Sequence, residues 1–264
     1  MRLVGTAAAG LRAQQIALDI IGNNLANVST PGFKANQMVF AEALATEVRS
    51  GKINSEEEEN MVITLDVGAG VVSNASGTNL QQGILKHTER SLDMGIDGAG
   101  FFPVRTPDGE LSYTRAGAFH LDGSGQLVDM QGNIVQINGA IPPGATEVTV
   151  AANGEITGVS EGESRVFGQL VLAGFQNPEG LQRNANNLFV PTVNSGAPQL
   201  GQPGSTTAGN LVLGTIRHQA LEQSNVDLAA ALTDLLQVQR AYQMNARLVS
   251  DGDKMWGMAN TLRR

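Results

Sequence analysis

Few residue patterns in this chain could carry chemistry, and each is incomplete. "GVSEG", residues 158–162, satisfies the Gly-x-Ser-x-Gly template, in which a serine at a sharp strand-to-helix turn becomes a nucleophile once a histidine and an acid reach it. The surrounding "NGEITGVSEGESRVFG" reads instead as strand, turn and strand, so Ser160 is expected to be a turn residue. His87, His120 and His218 are far apart, none stands in a His-x-x-x-His pair, and the chain has no cysteine to complete a zinc site. "DGSGQ", residues 122–126, lacks the alternating oxygen ligands and late glutamate of a calcium loop and reads as a hairpin turn. "GIDGAG", residues 95–100, lacks the strand-to-helix setting in which a glycine-rich loop cradles phosphate. Glu56 to Glu59 could draw a cation weakly but read as a solvated acidic loop. No catalytic, cofactor-binding or metal-binding residue is assigned on this pattern, and the expectation is a protein that is not an enzyme and needs no cofactor.

Composition narrows the class further. The chain has 264 residues and 41% hydrophobic content, enough for one large domain or two modest ones with a real core. Seventeen basic residues face 25 acidic ones, for a net charge of −8, and the longest basic cluster is Arg263-Arg264. Such a surface does not track a phosphate backbone, which argues against nucleic acid as a partner. The N-terminal segment lacks a continuous apolar core, being interrupted by Gly5, Thr6, Gly10, Arg12, Gln14 and Gln15, and no apolar run approaches the roughly 18 residues of a membrane span. Export, if it occurs, is expected by a route that needs no cleaved signal peptide.

The elements that must carry function lie at the ends. In the first segment Val4, Leu11, Leu18 and Leu25 occupy one seam position, and Ala7, Gln14, Ile21 and Val28 the other, in alternating steps of three and four. The helix is expected to end near Val28. Thr30 precedes a proline, and Pro31-Gly32 suits the central pair of a type II turn. At the other end a seam runs from Leu228 through Leu232, Leu235, Gln239, Tyr242, Ala246, Val249, Asp253 and Trp256, with Ser224, Asn225 and Asp227 as start signals. These two stripes are the expected partners of one another. Ile16, Ile20, Leu236, Met244, Leu248 and Met255 leave apolar surface outside a two-helix seam, so the helices look built to bury themselves against other copies. A two-helix stalk folding back on its own β domain is the alternative.

Between the helices the grammar changes. Residues 62–215 hold most of the 32 glycines, and short runs such as "FFPVRT", "NIVQI", "TEVTVAA" and "GQLVLAGF" alternate with "PDGE", "DGSGQ", "PPG" and "NPEG". The expected fold is mixed and mainly β: an all-β central domain flanked by long N- and C-terminal α-helices that pair as a coiled coil. Residues 1–30 and 218–264 would form the paired helical core, 31–75 and 194–217 extended connections, and 76–193 a β-rich outer domain. The charged stretch 50–61 reads as a solvated loop.

"NNLANVSTPGFKA" (23–35), "SLDMGIDGAGFFPVRTPDGELSYTRAGAFHLDGSGQLVDMQGNIVQ" (91–136) and "NVDLAAALTDLLQVQRAYQMNARLVSDGDKM" (225–255), in this order and spacing, resemble the bacterial flagellar basal-body rod and hook proteins. Within that family the length and the "LDMGIDGAGFF" body look most like the distal rod type, with the proximal rod type as the alternative. The "FFPVRTPDG" stretch, the shortened region after Ile134 and the acidic insertion at 56–59 are departures from the pattern.

The resemblance implies a subunit of a helical polymer, the flagellar drive shaft, in which terminal helices line an axial channel and the β domain faces outward. It implies export through the flagellar type III apparatus to the basal body, contact with other rod and hook axial proteins, and bushing ring proteins as further neighbours. On that reading Val4, Leu11, Leu18, Ile21 and Leu25 pack against Leu232, Leu235, Tyr242 and Val249. Asn23, Asn24 and Asn27 offer amide groups to backbone at the helix exit, Pro31 and Gly32 fix the angle of departure, and Phe33 anchors the turn. A cell-wall-remodelling enzyme or a secreted oligomeric binding module are the rival classes; the first would need an acid pair or activated serine.

Overall fold

The computed structural model describes residues 2–42, 46–49, 64–67, 71–207 and 209–262; the acidic stretch 50–61 lies outside the described residues. The chain is mainly β with a long α-helix at each end. It divides into two units, one of Met1–Leu25, Asn36–Gly77 and Leu228–Arg264, the other of Ala26–Ala35 and Thr78–Asp227.

The first unit holds α1 (Arg2–Ala26) and α2 (Leu228–Leu262). Alanine and leucine are the commonest residues of α1 and no proline interrupts it, which favours helix despite Gly5, Gly10 and Gly22. The helix stops two residues before the expected Val28, because Thr30 is held out of helical space by the proline after it and the chain turns from residue 27. The least exposed α1 side chains are Ala7, Ala13 and Ala17, whereas Leu11, Leu18, Ile21 and Leu25 are half-buried. On α2 the half-buried positions Ala231, Leu235, Val238, Ala241, Asn245 and Val249 recur every three or four residues, while Leu232 and Tyr242 stay exposed. The helices approach closely at Gly10, where a Cβ would stand 3.0 Å from Asn245 Nδ2. Two short ladders complete this unit: Asn36–Glu42 with Val71–Thr78, and Thr46–Arg49 antiparallel to Thr64–Val67.

The second unit is built on antiparallel sheets. A seven-stranded sheet runs in the order Gln182–Arg183, Leu188–Val190, Leu111–Thr114, Phe102–Arg105, Ile134–Val135, Leu127–Val128, His120–Leu121. A four-stranded sheet is ordered Ile137–Gly139, Glu163–Leu170, Glu155–Ser160, Thr146–Val150. Side chains of both sheets and of the segments beside them meet in one apolar core around Met94, Ile96, Phe102, Phe119, Ile156, Leu170 and Leu172, with Phe102 and Phe119 packed edge to face. A smaller aromatic cluster joins Phe101, Tyr113, Phe175 and Phe189, with Tyr113 and Phe175 ring centroids 4.9 Å apart.

The stretch 194–217, expected as a connection, carries Gln199–Gly201 paired with Leu172–Gly174 and Thr215–His218 paired with Met94–Asp97. Its glycines and prolines mask these strands in the sequence, yet Leu213 and Ile216 are buried in the main core.

Candidate assembly site

Five residues beyond α1 the chain reverses in the turn anticipated from Pro31-Gly32. Phe33 N–H donates to Thr30 O at 3.3 Å, and Gly32 adopts φ 68°, as the third residue of a type II turn requires. Only glycine fits there, since a Cβ would also stand 2.5 Å from Ala116 N. Phe33 is buried, with the Arg183 guanidinium 4.2 Å from its ring centroid, and Arg183 Nη1 donates to Lys34 O at 2.9 Å.

The segment entering α2 is fastened beside this turn. Gly32 N–H donates to Glu222 O at 2.7 Å. Ala35 N–H donates to Asn225 Oδ1 at 2.8 Å, and Asn225 Nδ2 donates to Asn79 O at 2.9 Å and Gln81 O at 3.0 Å. A single amide side chain thus satisfies backbone groups of two other passes of the chain, a use for which asparagine has both donor and acceptor.

Beneath this backbone knot lies a buried charge triad. Lys34 Nζ sits 2.5 Å from Glu222 Oε1 and donates also to Gln81 O at 2.6 Å. Arg115 Nη1 is 3.4 Å from Glu222 Oε2, and its Nη2 donates to Gly98 O at 2.9 Å. Gly83 N–H supplies a further donor to Glu222 Oε1 at 2.8 Å. The residues are 1%, 5% and 1% exposed for Lys34, Arg115 and Glu222, so water screens none of them. Two cations share one carboxylate, and Arg115 Nε has no acceptor among the described residues. Burial pushes the Lys34 ammonium below its usual range, against the raising influence of Glu222, and the Arg115 charge lowers it further. Burial likewise lowers Arg115.

The asparagines expected at the helix exit divide. Asn24 Nδ2 donates to Asn36 O at 2.8 Å while its Oδ1 accepts from Asn36 N–H at 2.9 Å, so the side chain copies a β-ladder partner. Asn27 accepts at its carbonyl from Thr30 N–H at 3.1 Å and at its Oδ1 from Thr30 Oγ1 at 3.2 Å, closing the helix exit. Asn23 is exposed. The structure thus brings Pro31, Gly32 and Phe33 into one site in the second unit, while Asn24 and the seam residues belong to the first.

Lys34, Arg115 and Glu222 were not singled out from sequence. The available signal was slight: "PGFKA", "YTRAGAF" and "ALEQSN" each hold a single charged residue. The chemically suggestive motifs are ordinary connections. Ser160 closes a strand before the two-residue hairpin turn Glu161-Gly162, at φ 55° and 83°. Asp122 caps its own turn, accepting from Ser124 and Gln126 N–H, which holds its carboxyl below the usual range. His218 Nδ1 accepts from Val150 N–H at 3.4 Å. Among the described residues no three histidine, aspartate or glutamate side chains gather as metal ligands.

A site in which two buried cations share one carboxylate and amides serve backbone is a fastening, and it defines a structural class of protein: a β body in which the segment leaving one terminal helix is tied to the segment entering the other. The comparisons with known proteins agree. Residues 5–34 match the family described as flagella basal body rod protein, 95–158 the D1 domain of the flagellar hook protein FlgE/F/G, and 217–262 the C-terminal region of flagellar basal body rod FlgEFG proteins. The chain is 40% identical over 250 residues to the flagellar basal-body rod protein FlgG of Buchnera aphidicola from Acyrthosiphon pisum, covering 93% of this chain and 94% of that one. It is 36% identical to the FlgG of Caulobacter vibrioides over the full length of both chains. It is also similar, at 29% identity over the full length of both, to the flagellar hook-basal body complex protein FlhP of Bacillus subtilis. This chain belongs to the flagellar basal-body rod protein family and is most like its distal rod members.

Proposed function

We propose that this chain is a structural subunit of the distal rod of the flagellar basal body, polymerising into a hollow helical shaft that transmits motor torque to the hook. Family membership supports the reading, and one structural observation carries it: α2 is 35 residues long, and among its described residues no large side chain is buried. Leu228, Leu236, Met244, Leu248, Met255 and Trp256 are each about half exposed, which is apolar surface that a helix of this length needs to cover.

The two terminal helices pair and bury their remaining faces against other copies, with Val4, Leu11, Leu18, Ile21 and Leu25 of α1 and Leu232, Leu235, Tyr242 and Val249 of α2 distributed over these contacts. The approach at Gly10 and Asn245 supports the pairing within one chain, and the exposure of Leu232 and Tyr242 supports contacts between chains. Neighbouring axial proteins of rod and hook cap the polymer at its ends, ring proteins surround it, and the subunit reaches the basal body through the flagellar export path. No helix among the described residues is long and apolar enough to cross a membrane.

Residue-resolved hydrogen exchange on dilute monomer and on polymer tests this. Amides of α1 (Arg2–Ala26) and α2 (Leu228–Leu262) should gain protection on assembly while the sheets stay protected throughout. Full protection of both helices in dilute monomer, unchanged by concentration, would leave them without an assembly role and defeat the proposal.

A further inference from the structure

We infer that the cleft beside Arg115 is a binding site for a carboxylate on an apolar stem, and that its occupant is an acidic side chain with an apolar neighbour on a second copy of this chain. The cleft has a volume of about 350 Å³, within the range of small-molecule sites. Leu80, Phe101, Phe175 and Leu211 give it apolar walls, and Gly98 and Gly100 leave backbone rather than side chain along one side. Arg115 is the cationic residue among those lining it.

The charge balance specifies the ligand. Lys34 and Arg115 together carry two positive charges against the single carboxylate of Glu222, all three buried. Arg115 also holds a buried Nε for which no acceptor stands among the described residues. An unpaired donor and an uncompensated charge at low dielectric are both costly, and a carboxylate entering the cleft relieves both. A guanidinium suits this better than an ammonium would, since its planar fork presents several donors to a carboxylate.

The occupant follows from the composition of the chain. At a net charge of −8 its surface is rich in acids, and some stand beside exposed apolar side chains. Glu110, at the base of a hairpin turn and next to Leu111 at 39% exposure, is such a pair. The choice of a second copy rests on the reading of the chain as a polymer subunit, whereas the ligand chemistry of the cleft does not.

The experiment titrates the full chain, dilute and isotopically labelled, with 4-methylpentanoate and separately with its uncharged amide. Saturable shifts of the Arg115 Nε–H signal and of the Gly98 and Gly100 amides, at about tenfold lower concentration of the acid than of the amide, are expected. Equal response to both compounds, or no saturable response, overturns the carboxylate site. Ala99→Trp then obstructs the cleft from an exposed position and leaves the core untouched. With an unchanged unfolding midpoint it should abolish the response and raise the concentration needed for assembly about tenfold. Assembly of Ala99→Trp at the wild-type concentration overturns the second copy as occupant. A wild-type chain that never polymerises defeats the proposed function instead, and the titration still decides what the cleft binds.

Discussion

Lys34 Nζ and Glu222 Oε1 meet at 2.5 Å although 188 positions separate them in the chain. One follows the turn that leaves α1 and the other precedes the segment that enters α2, so this contact closes the loop containing nearly all of the β unit. Loop closure on that scale is entropically unfavourable, and the backbone bonds around the pair, from Gly32, Ala35 and Asn225, share in offsetting it.

Glu222→Gln keeps the shape and removes the only anion of the triad. Two buried cations then face each other without compensation, and the β unit should lose about 3–5 kcal/mol. Arg115→Met leaves the neutral Lys34–Glu222 pair intact and should lose less, about 1–3 kcal/mol, mainly from the bond to Gly98 O. Urea unfolding followed through the sheet residues reads both; an equal loss in the two variants would show that charge balance does not order them.

The lowered Lys34 pKa sets a sign for pH dependence. The unfolded chain keeps this proton up to the ordinary value of 10.5, whereas the folded chain releases it earlier. Between those points the unfolded state binds more protons, so the Lys34 contribution to stability rises with pH through that window. Tyr113, raised by burial, acts oppositely above 10.0, since the unfolded phenol ionises first and stability falls. Stability of the wild type relative to Lys34→Met should therefore increase as pH rises toward 10.5, as denaturant midpoints would show. A flat difference would mean that burial does not dominate at Lys34.

Gly32→Ala strains the turn in two ways, through the positive φ and through the approach of the new methyl to Ala116 N. A loss of roughly 1–3 kcal/mol is expected, with faster amide exchange at Phe33 and at Gly32's own position, because both donate hydrogen bonds within the clasp. Exchange unchanged at Phe33 would show that the turn tolerates a side chain.

Asn24→Ala removes both hydrogen bonds to the backbone of Asn36. The expected cost is about 1–2 kcal/mol, confined to the root of α1, and the Asn36 amide should exchange faster while the sheets of the β unit keep their protection. Asn24→Asp retains the acceptor and should protect the Asn36 amide nearly as well as the wild type does.

The sequence by itself determined what local chemistry decides. Periodicity placed a helix at each end, with the start of α2 at Leu228 as its seam indicated, and Pro31-Gly32 announced the turn that Gly32 makes at φ 68°. Alternating short runs and turn residues marked the β body, and the strand-turn-strand pattern around Ser160 excluded a nucleophile elbow. All of these depend on steric and conformational preferences within a few residues.

Only the tertiary structure decided which distant residues meet. Nothing local pairs Lys34 with Glu222, brings Arg115 beneath them, or assigns Asn225 to the backbone of residues 35, 79 and 81. The strands within 194–217 were equally hidden, because their hydrogen-bond partners at 94–97 and 172–174 lie elsewhere in the chain. A buried charge looks the same in sequence as a solvated one. Its partner is specified by the fold that removes both from water, and the energy of that removal is what makes the pairing specific.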